Sequence, residues 1–145
     1  MEGAKVNWFV KEPDNVYTAH DEYYAGTCSP DSDFLLETEL WNNKWNSTDV
    51  ADMKNAKLII SFASAEDSVL LSLCTVSVDG EEFTKPDTNE FNRATVNLGT
   101  ISGDKNNGSS NYKDNYRRIA IKFSNIPTNF KDGLKSMFLD VQYDE

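Results

Sequence analysis

Histidine is nearly absent from this chain of 145 residues, which contains one, His20. Hydrolases of the Ser-His-Asp and Cys-His types need an imidazole beside the nucleophile. His20 lies in the polar segment TAHDEYY, and a lone loop histidine is far more often a surface residue than a catalyst. The glycine patterns of nucleophile elbows and phosphate-binding loops are also missing. The sequence therefore argues against both of these kinds of enzyme.

Basic residues are scarce as well. The 14 Lys and Arg residues stand against 24 Asp and Glu residues, which gives a formal net charge of −10. Affinity for nucleic-acid phosphates comes mainly from clustered Lys and Arg, and the one basic doublet is Arg117-Arg118. We therefore expect no nucleic-acid partner. Because no run approaches the roughly 18 apolar residues that a spanning helix needs, we expect no membrane insertion either.

Cysteine is also rare, with two residues far apart in the sequence. Cys28 lies in the polar stretch GTCSPDSD, whereas Cys74 lies in LLSLCTVSV, where a small apolar thiol fits a buried strand. A disulfide between them and two separate thiols both remain open. The start MEGAKVNWFV lacks the basic start and apolar core of a signal peptide. The protein is expected either to stay where it is made or to reach the cell surface or extracellular space after loss of a leader.

Clusters of Cys and His that would bind zinc are absent from the sequence. Carboxylate and amide oxygens occur in the turns EPDN, SPDSD and GDKNNG, but none of these has the spacing of the twelve-residue calcium loop. Asp31, Asp33 and Asp104 are therefore candidate ligands for one structural calcium ion. Because Asp and Asn are also the commonest turn residues, the main expectation is a protein without a cofactor.

What the sequence does contain is strand-like alternation. The pattern predicts about seven or eight strands, in the segments AKVNWFV, DFLLETELW, AKLIISFAS, VLLSLCTVSV, ATVNLGTI, RRIAIKFSNI and LKSMFLDVQYDE. Residues 11–33 and 103–115 are rich in turn residues and are predicted to be loops, with a brief strand near 16–18. Since βαβ alternation is missing, we expect one all-β domain over residues 1–145, an antiparallel β-sandwich.

One short helix is predicted near residues 47–55, in the segment NSTDVADMKNA. Ser47 or Thr48 can cap its start. The acidic residues of its first turn favour the positive end of the helix dipole. The helix is expected to end before the strand pattern AKLIISFAS begins.

The strand DFLLETELW predicts which side chains share a face. One face carries Phe34, Leu36, Thr38 and Leu40, and the other carries Leu35, Glu37, Glu39 and Trp41. The face with the carboxylates and Trp41 is expected to meet water. Glu37 and Glu39 lie about 7 Å apart by the strand repeat, within the range of inverting glycosidases. Acidic residues on an exposed strand are common, however, and no convergent site accompanies them, so we expect a non-catalytic protein.

The segment WNNKWNSTD, residues 41–49, places two indoles four residues apart among amides. Sugar rings present C–H groups that stack on indoles, and their hydroxyls need amide or carboxylate partners. The candidate glycan-binding residues are Trp41, Asn42, Asn43, Trp45, Asn46, Tyr23, Tyr24, Tyr112 and Tyr116. Alternatively, a Trp at a strand end closes the end of a sandwich, with its N–H bonded to a loop carbonyl. At least one of the two indoles is expected to be exposed and used in binding, because one strand end cannot easily bury both.

The segments NAKLIISFAS, VSVDG and IKFSNIP…LKSMFLDVQYDE resemble the galactose-binding-like jelly roll over about residues 56–145. The ending is similar to that of carbohydrate-associated β-sandwich modules of gut Bacteroidota. The matching positions of that last strand are Phe138, Leu139, Asp140, Val141 and Tyr143. The resemblance implies a jelly-roll fold and binding aromatics on variable loops.

Two functional hypotheses follow from these patterns. The first is a non-catalytic glycan-binding module of a bacterial surface protein or carbohydrate-active enzyme, which acts through loop aromatics and amides. The second is a structural subunit of a phage virion, such as a decoration, collar or tail component, which is assembled in the host cytoplasm. Such a subunit would act through contacts with other protein subunits.

Overall fold

Two five-stranded antiparallel sheets form the protein, which confirms the predicted antiparallel β-sandwich. This computed structural model describes residues 1–11, 17–20, 24–28, 34–62, 67–88, 93–124 and 135–145. The strands in these residues are β1 (Val6–Lys11), β2 (Tyr17–His20), β3 (Tyr24–Cys28), β4 (Phe34–Asn42), β5 (Met53–Phe62), β6 (Cys74–Val78), β7 (Asp87–Thr88), β8 (Ala94–Ile101), β9 (Tyr116–Phe123) and β10 (Lys135–Asp144). The described helical segments are two 3₁₀ turns, Asp67–Leu73 and Lys113–Asn115.

The order of the strands makes the chain pass repeatedly between the sheets. The first sheet has the order β2-β1-β4-β9-β6 and the second has the order β3-β10-β5-β8-β7. Consecutive strands from β4 to β6, and again from β8 to β10, lie in opposite sheets. The β4–β5 and β8–β9 connections therefore cross from one sheet to the other at an end of the sandwich.

Alternation along the strands decides which side chains enter the core. The inward residues of the first sheet include Leu36, Leu40, Ile119, Ile121 and Phe123, all buried as their alternation predicted. They share one cluster with residues of the second sheet that include Leu58, Ile60, Met137 and Leu139. Full burial of a side chain of this size contributes roughly 1.5–3 kcal/mol. This cluster is therefore a major source of the stability of the sandwich.

One side of the sandwich is closed by a crossing segment and an arginine. Thr84 exchanges two backbone hydrogen bonds with Val76 of β6, at 2.8 and 3.0 Å, and the following β7 pairs with the start of β8. Further along β8, Arg117 donates from Nε to Leu98 O at 3.0 Å and from Nη2 to Thr100 O at 2.6 Å. Unpaired carbonyls at a sheet edge invite association with other chains. The Arg117 guanidinium donates hydrogen bonds to the carbonyls of Leu98 and Thr100 and so connects β9 to β8.

The predicted helix near residues 47–55 is wrong, because this stretch is irregular until β5 begins. The acidic side chains that were expected in the first turn of this helix accept hydrogen bonds from the β8–β9 connection instead. Asp49 Oδ1 accepts a hydrogen bond from Lys105 N–H (2.9 Å), and Asp52 Oδ1 accepts one from Gly103 N–H (2.8 Å). A segment of two turns has little helical stability of its own, so these tertiary bonds decide its conformation.

Within residues 11–33, the brief strand predicted near 16–18 overlaps β2, whereas the prediction of a loop is wrong for β3. Both are edge strands: β2 pairs with β1, and β3 pairs with β10. Strand propensity depends strongly on such context, so the local sequence of β3 gave little indication of a strand.

In the predicted strand VLLSLCTVSV, the first half instead forms the 3₁₀ turn Asp67–Leu73. Cys74 is buried in β6, while Cys28 ends β3 in the opposite sheet.

Replacing Arg117 tests its role at the side of the sandwich. Arg117→Ala should lower the free energy of unfolding by roughly 1–3 kcal/mol, because the carbonyls of Leu98 and Thr100 lose a charged donor. Urea unfolding followed by tryptophan fluorescence measures this change. The control variant Lys105→Ala removes an exposed charge and should stay within about 0.5 kcal/mol of the wild type. An Arg117→Ala protein as stable as the wild type would contradict this role.

Candidate functional site

Two loops meet at one end of the sandwich, the β4–β5 loop (residues 43–52) and the β8–β9 loop (residues 102–115). Strand register brings them together: Trp41 of β4 lies opposite Tyr116, where β9 begins. In the other sheet, β5 begins opposite Ile101, where β8 ends. The hydrogen-bond ladders between the strands end here, so the backbone N–H and C=O groups of both loops need other partners. Buried asparagine side chains supply many of these partners.

Asn42, at the end of β4, is fully buried, with 0% of its surface exposed. Its Oδ1 accepts a hydrogen bond from Lys5 N–H at 2.9 Å. Its Nδ2 donates to Ala51 O at 2.9 Å and to Ile101 O at 3.2 Å. Asn42 thus ties three chain segments to one point. Its polar atoms are used inside the protein rather than presented to a ligand.

Asn43 is buried beside it and organises the turn that follows β4. Its Nδ2 donates to Thr48 O and to Gly103 O, both at 2.8 Å. Its Oδ1 accepts a hydrogen bond from Asn46 Nδ2 at 2.6 Å. The backbone of Asn43 has φ = +64°, a left-handed conformation that Asn tolerates better than most residues. Of these two amides, Asn46 is the one that is half-buried and reaches solvent.

Asn106 and Asn115 are buried too, although they lie in the segment that its composition predicts to be a solvent loop. Asn106 Oδ1 accepts hydrogen bonds from Trp45 N–H (3.2 Å) and Gly108 N–H (2.9 Å), and its Nδ2 donates to Asn43 O (2.9 Å). Asn115 Nδ2 donates to two carbonyls of its own loop. The asparagine network comprises Asn42, Asn43, Asn106 and Asn115. In the sequence, the only sign of this network is the repetition of Asn in both loops. The high frequency of Asn in turns explains that repetition equally well.

Trp41 lies beneath this network, and the expectation that its face would meet water is wrong at this end of β4. The indole is 1% exposed and stacks on Tyr116, with 4.4 Å between ring centroids. Tyr116 is also buried, and its hydroxyl donates to Ser110 O at 2.8 Å. Burial raises the pKa of this hydroxyl, an effect that the nearby Arg118 opposes. Alternation identified the face correctly, but Tyr116 and Lys44 cover the indole.

The two carboxylates of β4 each have a basic partner. Glu39 is 5% exposed; its Oε1 accepts from Trp41 Nε1 (3.1 Å) and its Oε2 accepts from Arg118 Nε (3.2 Å). Glu37 pairs with Lys11 at 2.6 Å. Glu37, Lys11 and Arg118 line a shallow groove of about 400 Å³ on the outer face of the first sheet. The geometry thus gives these carboxylates ion-pairing roles.

Lys44 extends its ammonium over three aromatic rings. Lys44 Nζ lies 3.8 Å from the ring centroid of Phe9, 4.5 Å from that of Trp41 and 4.5 Å from that of Trp45. Ammonium groups over aromatic faces are attracted by the ring quadrupole. Burial lowers the pKa of Lys44, and the negative charge of Glu39 opposes this effect.

Trp45 is the exposed member of the tryptophan pair, with 63% of its surface accessible. The exposure predicted for at least one of the two indoles is thus confirmed, and its use in binding stays a prediction. Its ring meets Phe9 edge to face, with centroids 5.5 Å apart and planes at 90°. The backbone of Trp45 has φ = +63°, which is rare for a bulky residue. Gly108 packs against the indole so closely that a Cβ there would lie 1.7 Å from Trp45 Nε1.

Tyr112 is exposed on the same β8–β9 loop as Gly108. It lines a hollow of about 290 Å³ together with Asp104, Lys105, Asn111 and Lys113, among other residues of this loop. Gly108, which packs against Trp45, belongs to the same loop as the hollow and lies between Lys105 and Asn111 in the sequence. The candidate site is therefore Trp45 with the exposed part of the β8–β9 loop.

The remaining candidates are Tyr23, Tyr24 and the possible calcium ligands Asp31, Asp33 and Asp104. Tyr24 lies in β3, an edge strand of the other sheet. Tyr23, Asp31 and Asp33 lie outside the described residues. Asp104 is exposed, and its carbonyl accepts hydrogen bonds from Asn106 and Asn115. Among the described residues, no three His, Cys, Asp or Glu side chains are grouped closely enough to hold a metal ion.

Comparisons of this chain with known protein families, with curated proteins and with solved structures find no match. None of the helical turns in the described part of the chain has the length and apolarity of a membrane-spanning helix.

Replacing Asn106 tests the asparagine network. Asn106→Ala should lower the free energy of unfolding by at least about 2 kcal/mol, because Asn43 O and the amides of Trp45 and Gly108 each lose a hydrogen bond, and an unsatisfied buried group costs about 1–3 kcal/mol. Urea unfolding measures the loss. The matched control is Asn107→Ala at the exposed neighbouring position, which should change stability by less than about 0.5 kcal/mol. Equal effects of the two substitutions would contradict the network.

Proposed function

We propose that the protein is a non-catalytic glycan-binding module whose central contact is the indole of Trp45. The observation that carries this proposal is that Trp45 is both largely exposed and held in a left-handed conformation. Glycan rings have apolar C–H faces that an exposed indole can cover, and hydroxyl groups that the polar loop residues can bind.

Neither feature of Trp45 is explained by folding alone. A left-handed conformation costs a non-glycine residue roughly 1–2 kcal/mol, and Gly or Asn at this position would form the same turn with less strain. An exposed indole also leaves a large apolar surface in water. Strained residues are retained where the surrounding structure holds them in place, and they concentrate at binding sites. Both costs therefore point to a use for the Trp45 side chain.

The contacts of Trp45 make it a preorganised platform. Phe9 supports the ring from one side at 5.5 Å between centroids, and Lys44 lies over it at 4.5 Å. Gly108 packs against its pyrrole part, and Asn106 fixes its backbone N–H. A side chain already held in its binding conformation loses little entropy when a ligand binds. Trp and Tyr are well suited to this role because they offer a large contact area with few rotatable bonds.

The β8–β9 loop supplies the polar half of the proposed site. The side chains of Asp104, Lys105 and Tyr112 are exposed around its hollow. Carboxylate oxygens accept hydrogen bonds from sugar hydroxyls, ammonium groups donate to them, and a phenol does both. In this proposal Trp45 and Tyr112 contact the sugar. Trp41, Asn42, Asn43 and Tyr116 position the loops from beneath, and Asn46 lies at the rim.

The second candidate function is a structural subunit of a phage virion, and an exposed apolar residue favours it. Leu35 is largely exposed on the outer face of β4, where it lines the groove of about 400 Å³ together with Phe83. Apolar side chains grouped on a surface are typical of protein contacts. A subunit of this kind would bind other protein subunits through the outer face of the first sheet.

Binding to a glycan array and retardation in glycan-containing gels test the glycan proposal. Trp45→Ala should weaken binding at least about tenfold, which corresponds to about 1.4 kcal/mol, and Tyr112→Ala should weaken it less. The matched control is Phe138→Ala, which removes an exposed aromatic ring from the other sheet and should leave binding unchanged.

Trp45→Asn separates loss of binding from loss of folding. Asn tolerates the left-handed conformation, so this variant should be more stable than Trp45→Ala and equally deficient in glycan binding. A wild-type protein that binds no glycan, or Trp45 variants that bind as the wild type does, would overturn the proposal. A defined oligomer without glycan binding would favour the virion subunit.

A further inference from the structure

The rings around Lys44 form an aromatic cage for a cation. Phe9, Trp41 and Trp45 surround the ammonium, with ring centroids 3.8 to 4.5 Å from Nζ. The Phe9 and Trp45 rings stand at 90° to each other, so they form two walls of a corner. The buried carboxylate of Glu39, which accepts a hydrogen bond from Trp41 Nε1, adds a negative charge nearby. We call Phe9, Glu39, Trp41 and Trp45 the ammonium cage.

Lys44 is a poorly matched occupant of this cage. A primary ammonium has three N–H donors that need acceptors, and it is strongly hydrated in water. Among the described residues, however, none accepts a hydrogen bond from Lys44 Nζ or forms an ion pair with it within 4.0 Å. The cage presents ring faces instead. In agreement, the loss of hydration outweighs the attraction of Glu39 and lowers the pKa of Lys44.

We propose that the ammonium cage is a binding site for a quaternary ammonium group, and that Lys44 is an internal occupant which the ligand displaces. A quaternary ammonium has methyl groups in place of N–H donors, so its surface fits ring faces and needs no acceptor. Its charge is permanent and is attracted both by the ring quadrupoles and by Glu39. Aromatic cages of this kind recognise choline-like groups.

The surroundings of Lys44 allow this exchange. Lys44 is half-buried and has a flexible four-carbon side chain. It lies in a turn between Asn43 and Trp45, so the cage opens at the surface beside the exposed Trp45 ring. A displaced Lys44 ammonium regains its hydration, which offsets part of the lost ring contacts. The free energy of ligand binding is reduced by the free energy needed to empty the cage.

This inference is independent of glycan binding, although Trp45 takes part in both. The three rings of the cage are those of Phe9, Trp41 and Trp45, whereas the proposed sugar contacts are Trp45 and Tyr112. Tyr112→Ala should therefore weaken glycan binding and leave quaternary ammonium binding unchanged. The two proposals can fail separately.

Choline titrations test the cage, with tryptophan fluorescence and calorimetry as the readouts. Lys44→Ala should bind choline at least about tenfold more tightly than the wild type, because its cage is already empty. The control ligand is 3,3-dimethylbutan-1-ol, which has the shape of choline without its charge. This alcohol should bind at least about tenfold more weakly than choline, because the cation–π attraction is missing. In the Lys44→Ala protein, Trp45→Ala should abolish choline binding.

Three results would overturn the proposal: no choline binding by Lys44→Ala, equal binding of the neutral alcohol, or tighter binding by the wild type than by Lys44→Ala. The thermal unfolding transition of each variant shows whether it is folded. If Lys44→Ala does not fold, Lys44→Gln takes its place, because it keeps most of the side-chain length and lacks the charge. Choline should then raise the melting temperature of Lys44→Gln more than that of the wild type, and an equal or absent rise would overturn the proposal.

Discussion

Buried asparagine amides hold the two loops at one end of this sandwich, and the candidate site depends on them. Where the ladders stop, backbone N–H and C=O groups still need partners if they are buried. A neutral amide supplies a donor and an acceptor from one side chain, and it avoids the larger desolvation cost of a charge. Asn42, Asn43 and Asn106 satisfy backbone groups of both loops at 2.8 to 3.2 Å. This end is therefore a packed polar structure.

The network acts on function through the conformation of Trp45. A strained, exposed residue persists only when its surroundings determine its position, and here Asn106 binds its backbone while Phe9 and Gly108 contact its ring. Below it, the buried pair of Trp41 and Tyr116 packs on this end of the outer face of the first sheet. The exposed indole thus stands on a layer of buried aromatic rings, and Lys44 lies between the two. Binding of a sugar ring and of a cation are two uses that this arrangement allows.

Residue alternation was enough to predict the sandwich, because inward residues such as Ile119 and Ile121 must alternate with outward ones. It also placed Trp41 on the outer face. It could not show that Trp41 is covered, since Phe9 and Tyr116, which pack with it, are distant in sequence. The helix predicted near residues 47–55 was wrong for the same reason, because the polar side chains of this segment bind the β8–β9 loop, which is distant in sequence. The exposure of one indole was predictable, but the occupation of the cage by Lys44 was not, because it depends on how β1 and β4 bring three rings together.

Hydrogen exchange at the backbone amides of Trp45 and Gly108 tests the central claim most directly. Both amides donate to the Oδ1 of the buried Asn106, in a segment whose composition is that of a solvent loop. If the asparagine network holds this end, both amides should exchange at least roughly a thousandfold more slowly than in an unstructured peptide, as for other protected native amides. Exchange within about tenfold of the peptide rate, in a protein whose core strand amides are protected, would contradict the account.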